Sequence, residues 1–192
     1  VMATAEETRL LRRPTVSRDL VAFAYASDLW AVARSGGQAR RLTATPFVET
    51  DPRFSPDGSQ IAFTATVAGN TDVYVMSTAG GEPIRLTFHP AIDAVRGWSP
   101  DGTRVLFAST RGTLPMPGVA AYFRLWTVAF SGGGLPDLLQ IPRAFTGAYS
   151  PDGRRIAYED VSVAFAAEWA QEQSSQWRNY RGGRTHPIRL NT

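Results

Sequence analysis

The sequence predicts an all-β fold made of repeated four-stranded units, and three recurring features predict it. The first is the tetrapeptide Ser-Pro-Asp-Gly, present at 55–58, 99–102 and 150–153. The second is a polar, an apolar and an aromatic residue in succession, at 28–30, 72–74 and 124–126. The third is a pair of glycines after each such triplet, at 36–37, 80–81 and 132–133.

Each feature has a structural reason. In Ser-Pro-Asp-Gly, proline presets the second position of a type I turn, serine and aspartate suit its polar positions, and glycine accepts the final positive φ. A short apolar or mixed run precedes each copy and a β-type run follows, so the turn joins a first strand to a second. The triplets predict third strands. The glycine pairs predict hairpin turns into fourth strands such as Arg40-Arg41-Leu42-Thr43 and Arg85-Leu86-Thr87.

The spacing of the repeats predicts the architecture. The glycine pairs that begin at 36, 80 and 132 are 44 and 52 residues apart. Four strands in a period of about 40 to 50 residues are typical of β-propeller blades. An insertion at 113–122, with two prolines and a glycine, accounts for the longer third repeat. The sequence therefore predicts a β-propeller.

The blades can be placed on the chain. We predict an N-terminal extension at 1–18 and a partial propeller at 19–192, about three and a half blades in all. The blades span about 19–43, about 49–87 and about 94–140, with an incomplete fourth at about 145–192. The first block has no Ser-Pro-Asp-Gly turn, so its first strand is either missing or lies at 9–14. We expect further blades beyond Thr192, because propellers close with about four to eight.

One segment departs from the repeat. Residues 163–180 are rich in alanine, glutamate and glutamine, and Phe165, Trp169, Gln173 and Trp177 recur at a spacing of four. This pattern predicts a short helical insertion that caps the propeller, and an ordinary long loop is the alternative.

Composition limits the classes of function. The chain has 192 residues, 43% of them hydrophobic, which is enough for a packed core, and no cysteine for disulfides or thiolate metal sites. No apolar run approaches the roughly 20 residues of a membrane span. The net charge of +3 is scattered without a basic run, which disfavours nucleic acid. Ala3-Thr4-Ala5 resembles a secretory cleavage site and suggests a periplasmic or secreted protein, with a cytoplasmic one as the alternative.

The sequence predicts no catalytic residue, cofactor or metal. Nucleophile-elbow, zinc-protease and phosphate-loop motifs are absent from it. His89 and His186 each precede a proline without a neighbouring ligand, so both are interpreted as structural or surface residues. Turn formation explains the aspartates of the repeat without calcium. The aromatic residues of the triplets, Trp30, Tyr74 and Trp126, are expected to pack between blades.

The candidate binding residues are arginines near the end of the chain. Arg178, Arg181 and Arg184 surround Tyr180 and two glycines, and a guanidinium can hold a peptide carboxylate through two parallel hydrogen bonds. Arg124, where the insertion re-enters a strand, is a further candidate. The alternative for all four arginines is ion pairing between blades.

The run Gln-Trp-Arg-Asn-Tyr-Arg-Gly-Gly-Arg-Thr at 176–185, placed after these repeats, resembles the N-terminal propeller of tricorn-type serine peptidases. In that family a Trp-x-x-Tyr-Arg-Gly-Gly stretch occupies this place. The opening segments at 10–14, 19–23 and 28–30 are also similar to the family's.

The resemblance implies a six-bladed first propeller, a second propeller, a PDZ-like module and a serine peptidase domain, and this chain is expected to contain only part of the first. It implies a non-catalytic segment that gates or guides peptides, and basic propeller residues that anchor a substrate's C-terminal carboxylate. The expected partners are peptides, the remaining blades and the peptidase domains, with association between copies through unpaired edges. The alternatives are a TolB-like propeller that binds a protein partner in the cell envelope, and a propeller fused to an amidohydrolase or α/β-hydrolase.

Overall fold

The computed structural model describes residues 11–113, 122–160 and 188–191, which form fifteen strands and no helix. Four antiparallel sheets contain all of these strands, each sheet in chain order. The predicted helical insertion at 163–180 lies outside the described residues. None of the described residues belongs to a helix with the length and apolarity that crossing a bilayer requires.

The first two sheets have four strands each. Blade 1 contains β1 (Arg12–Val16), β2 (Leu20–Tyr25), β3 (Asp28–Ala33) and β4 (Arg40–Arg41). Blade 2 contains β5 (Val48–Phe54), β6 (Gln60–Val67), β7 (Asn70–Ser77) and β8 (Ile84–Arg85).

The other two sheets follow the same order. Blade 3 contains β9 (Asp93–Trp98), β10 (Arg104–Ser109), β11 (Arg124–Ala129) and β12 (Asp137–Leu138). Blade 4 contains β13 (Ala144–Tyr149), β14 (Ile156–Asp160) and β15 (Ile188–Asn191). The three Ser-Pro-Asp-Gly turns join first to second strands, and the glycine pairs join third to fourth strands. The predicted all-β propeller fold is confirmed.

Blade 1 has a first strand, β1, which overlaps the range 9–14 given as the alternative to a missing strand. β1 pairs with β2, with Thr15 opposite Ala22 and Val16 opposite Val21. The blade therefore reaches back to Arg12, into the range 1–18 that we predicted to be an extension. Its first turn lacks the repeated tetrapeptide: Ser17 alone closes it, and the Leu20 amide donates to the Ser17 Oγ at 3.1 Å.

Packing between blades places large side chains against small ones. The face of blade 2 that carries Ile61, Phe63 and Tyr74 covers Ala22, Ala24 and Ala31 of blade 1. Blade 3 repeats the arrangement, with Val105 and Phe107 against Ala62 and Val75 of blade 2. The predicted packing role is confirmed for Tyr74, which is 7% exposed with its ring centroid 5.8 Å from that of Phe63. It is confirmed as well for Trp126, which packs against the buried side chains shared by blades 2 and 3.

The first strands of consecutive blades lie side by side, β1 beside β5, β5 beside β9 and β9 beside β13. The fourth strands lie at the opposite edge of their sheets. Blades of a propeller are arranged around a central channel. The converging first strands therefore form the edge nearest the axis, which we call the inner edge.

Candidate functional site

Every strand of the inner edge contains a β-bulge. In each one the register against the second strand shifts by one residue: between Arg12 and Thr15 in β1, between Thr50 and Arg53 in β5, at Arg96 in β9, and between Ala144 and Gly147 in β13. A bulge re-aims the side chain of its extra residue and is frequent beside functional sites. Four equivalent bulges therefore direct one row of side chains along the inner edge.

Two of the bulges hold residues in an unusual backbone conformation. Arg13 and Asp51 have φ values of 52° and 51°, in the left-handed region that residues other than glycine seldom adopt. Each precedes a proline, Pro14 or Pro52, which donates no backbone hydrogen bond to the ladder. Such strain costs free energy and persists where the surrounding contacts fix it.

Contacts between neighbouring blades hold these bulges in place. Arg13 Nε lies 3.4 Å from Asp51 Oδ1, and Arg96 Nη1 lies 3.9 Å from Asp51 Oδ2. Arg96 Nε then donates to the Phe145 carbonyl oxygen at 2.7 Å, and its guanidinium stacks 4.1 Å above the centre of the Phe145 ring. We call these four residues, Arg13, Asp51, Arg96 and Phe145, the inner-edge chain, since they connect all four blades.

Exposure to solvent differs among the residues of the inner-edge chain. The Arg13 side chain is 64% exposed, whereas those of Asp51 and Arg96 are 11% and 8% exposed. Burial lowers the pKa of Arg96 and the neighbouring Asp51 carboxylate raises it, while Arg53 and Arg13 lower it further. A guanidinium remains cationic in proteins despite such effects. The inner-edge chain thus combines a buried charge at Arg96 with an accessible cation at Arg13.

A second set of bonds fastens blade 2 to blade 3 at the inner edge. Arg53 Nε donates to the Arg96 carbonyl at 3.2 Å, and Trp98 Nε1 donates to the Arg53 carbonyl at 2.9 Å. Backbone carbonyls of bulged strands thereby find partners, which a buried polar group requires. These bonds hold the backbone that presents Asp51 and Arg96.

The repeated turns lie at one end of the propeller and bond within themselves. The serine hydroxyl donates to the aspartate carboxylate in each, at 2.6 Å from Ser55 to Asp57 and at 2.5 Å in both later copies. Hydrogen bonds from Ser55 and Ser59 lower the pKa of Asp57 to about 2. Within the described residues, no three His, Cys, Asp or Glu side chains cluster as metal ligands would.

The turns also contact one another between blades. A Cβ on Gly102 would lie 3.6 Å from Pro56 Cδ, and one on Gly153 would lie 3.7 Å from Pro100 Cγ. The glycines of the second and third turns therefore face the proline of the preceding turn, whereas Gly58 of the first turn faces Ser17. The repeated tetrapeptide serves packing between blades as well as chain reversal.

The residues that the sequence nominated for binding are only partly described. Arg124 begins β11 and donates through Nη2 to the Ile141 carbonyl at 3.5 Å, in the segment that joins β12 to β13. Arg178, Tyr180, Arg181 and Arg184 lie outside the described residues, as does His186. His89 is exposed and accepts a hydrogen bond from the Ala91 amide at 3.0 Å.

Sequence reasoning missed the inner-edge chain because its members differ in residue type. The one available signal was a charged residue before proline in the run leading to a turn, at Arg13-Pro14 and Asp51-Pro52. Arg96 and Phe145 carry no such mark, because a bulge depends on the register between two strands.

Sheets of this order around a converging inner edge define a β-propeller. The chain belongs to a particular propeller family: the model of the tricorn protease N-terminal beta propeller domain matches residues 8–192. Tricorn protease homolog 1 of Streptomyces coelicolor is 37% identical over 173 residues, which cover 90% of this chain and 15% of that protein.

Solved structures share the fold. The crystal structure of the tricorn protease has a TM-score of 0.66 at 22% identity, covering 94% of this chain and 17% of its own. TolB from Acinetobacter baumannii has a TM-score of 0.63 at 22% identity, covering 80% of this chain and 38% of its own. The match to the Streptomyces relative thus covers most of this chain but only a small part of that protein.

Proposed function

We propose that this chain is the non-catalytic N-terminal propeller segment of a tricorn-like serine peptidase and guides peptides to an active site in other domains of the same protein. Membership of the family along 8–192 supports the link to a peptidase. The observation that carries the guiding role is the inner-edge chain, which places charged side chains on the edge nearest the propeller axis.

The chemistry of the inner edge suits an extended peptide. Each first strand is an edge strand, so its outer row of amide and carbonyl groups faces away from the sheet. An exposed guanidinium at Arg13 adds a cation beside these groups. Peptides offer complementary backbone groups to such an edge, and their carboxylates can pair with the guanidinium.

The bond-breaking step is assigned to the peptidase domains. In the proposed division of labour, the propeller admits, orients or releases peptides and supplies no nucleophile or general base. Its effect on hydrolysis is then one of access, so it should depend on peptide length.

Access can be tested with a bulky label on the inner edge. Full-length protein carrying Arg13→Cys is reacted with polyethylene glycol maleimide, which has no other thiol to modify in this segment because the chain lacks cysteine. Hydrolysis of long peptides should fall by about fivefold or more relative to the unlabelled variant, because entry becomes limiting. Hydrolysis of very short peptides should fall less.

Ile84→Cys provides the matched control. Ile84 is 57% exposed in β8, at the edge of its blade away from the axis, and the same label there should leave hydrolysis unchanged. The unsubstituted full-length protein, treated with the reagent, measures labelling elsewhere. Equal rates for the labelled variants at 13 and 84 would contradict the guiding role.

We further propose that Arg178, Tyr180, Arg181 and Arg184, with Arg124 as a further candidate, hold a peptide's C-terminal carboxylate. The support is the chemistry of clustered guanidiniums. Amidating that terminus should weaken binding to the full-length protein. Equal affinity of the acid and the amide would oppose the assignment.

A second candidate is a TolB-like propeller that binds a protein partner in the cell envelope, which the shared fold with TolB favours. The reading frame beyond Thr192 separates the two: a PDZ-like module and a serine peptidase core support the first proposal. Fractionation of cells that express the full-length protein tests the periplasmic assignment, and light scattering tests association between copies.

A further inference from the structure

Two neighbouring blade junctions place acidic residues at the same pair of positions. One acid lies on the third strand of a blade, Asp28 in β3 and Asp72 in β7, two residues before the aromatic of the triplet. The other lies on the first strand of the next blade, Glu49 in β5 and Asp93 in β9. Each pair interacts electrostatically across its junction.

The junction between blades 2 and 3 supplies one guanidinium for each acid. Arg85 Nη2 lies 2.6 Å from Asp72 Oδ2, and Arg111 forms an ion pair with Asp93. The Arg111 side chain is held in place by a hydrogen bond of 3.1 Å from its Nε to the Ser109 hydroxyl. Two negative charges therefore face two positive charges.

The junction between blades 1 and 2 supplies only one guanidinium for its two acids. Arg41 Nη2 lies 2.7 Å from Asp28 Oδ2, and among the described residues no arginine reaches ion-pair distance of Glu49. Glu49 is 2% exposed. Its carboxyl oxygens receive hydrogen bonds from neutral hydroxyls, those of Thr43 and of Thr45, the latter at 2.7 Å.

Burial has the largest influence on the pKa of Glu49. Desolvation raises the pKa of Glu49 above its ordinary value of 4.5, hydrogen bonds from Thr43 and Thr45 lower it, Asp28 raises it, and the Leu29 backbone lowers it. The charged group that interacts with Glu49 across the junction is thus Asp28, which itself pairs with Arg41. Burial raises the pKa of Asp72 too, but there Thr87 and Arg85 oppose it.

We propose that the junction between blades 1 and 2 is a pH-sensitive joint, closed when Glu49 carries a proton and loosened when Glu49 ionises, because ionised Glu49 would add a buried negative charge beside Asp28 and only Asp28 has a guanidinium partner. This role goes beyond peptide guiding. The Arg13–Asp51 bridge of the inner-edge chain crosses the same junction, two residues from Glu49 along β5. Loosening the joint would therefore alter the inner edge of the propeller.

The direction of the effect follows from linkage. An acid whose pKa is raised on folding contributes stability that is fully present below its unfolded pKa, near 4.5 for Glu49. That contribution is lost as the pH rises through the raised pKa of the folded state. The joint should thus be tighter in mild acid than in mild alkali.

Hydrogen exchange of the full-length protein, read by mass spectrometry, tests the joint directly. After correction for intrinsic exchange, amides of β4 and β5 should exchange at least about threefold faster at about pH 8 than at about pH 5. Amides of β8 and β9, the equivalent strands at the junction where each acid has its own arginine, should change less. Glu49→Gln, which stays neutral, should abolish the change in β4 and β5.

A second variant keeps the proposal testable if Glu49→Gln fails to fold. Thr45→Val removes a donor that favours the carboxylate, so the loosening should move to higher pH. The joint is ruled out if wild-type β4 and β5 show no pH dependence beyond that of β8 and β9, if Glu49→Gln retains the wild-type change, or if Thr45→Val moves it to lower pH.

Discussion

The turn end and the inner edge of this propeller use repetition in opposite ways. At the turn end the same four residues recur, and each serine bonds the aspartate of its own turn. At the inner edge the backbone bulge recurs while the side chains differ, and they bond from one blade to the next. Constant residues therefore maintain the blade, and variable residues at a constant bulge give the inner edge its chemistry.

The largest predicted effect is the loss of the buried charge at the inner edge. Arg96→Met keeps the aliphatic stem but removes the bond to the Phe145 carbonyl and leaves Asp51 with Arg13 alone. We expect the propeller to lose about 3 kcal/mol of stability, measured as a shift of its urea midpoint by tryptophan fluorescence. Arg154→Met, at an exposed turn residue, should change stability by less than about 0.5 kcal/mol. Similar shifts for both variants would remove the distinction between the two regions.

A smaller effect is expected where β13 packs closely against its neighbours. A Cβ on Gly147 would lie 2.7 Å from Leu125 Cδ1 and 3.2 Å from the Ala157 carbonyl oxygen, so Gly147→Ala should cost about 2 kcal/mol. Gly97 in β9 is the matched control, because a Cβ there meets nothing within 4 Å. Gly97→Ala should be close to neutral in the same urea titration. If both substitutions cost the same, close packing at the inner edge does not explain Gly147.

The smallest effect concerns the turn end and appears only in acid. Hydrogen bonds from Ser55 and Ser59 lower the pKa of Asp57 to about 2 from its ordinary value of 3.8. A lowered pKa contributes stability above the unfolded value and loses it as the pH falls through the folded value. Between about pH 4 and 2, wild type should therefore lose slightly more stability than Asp57→Asn. Parallel acid titrations of the two proteins would show that the turn bonds are too weak to matter.

Most of the fold could be predicted from the sequence because turn chemistry is local. Proline, aspartate and glycine at fixed offsets marked three hairpins, and the triplets marked third strands that the structure places at β3, β7 and β11. β1 carried no such mark, since Ser17 closes its turn without the repeated tetrapeptide.

The inner-edge chain could not be predicted in the same way. A bulge is a property of the register between two strands, and the contacts among Arg13, Asp51, Arg96 and Phe145 join residues from different blades. The difference in arginine partners between the two acidic junctions could not be predicted either. Arg111 reaches Asp93 from the segment after β10, while Glu49 has only hydroxyls, and neither contact follows from sequence spacing.

Photo-crosslinking tests the central claim, that the inner edge faces the peptide, most directly. A peptide carrying benzophenone side chains is bound to the full-length protein, irradiated, and mapped by mass spectrometry. We predict adducts in the inner-edge strands, at Arg12–Val16, Val48–Phe54, Asp93–Trp98 and Ala144–Tyr149. Adducts confined to the repeated turns or to the fourth strands would contradict it.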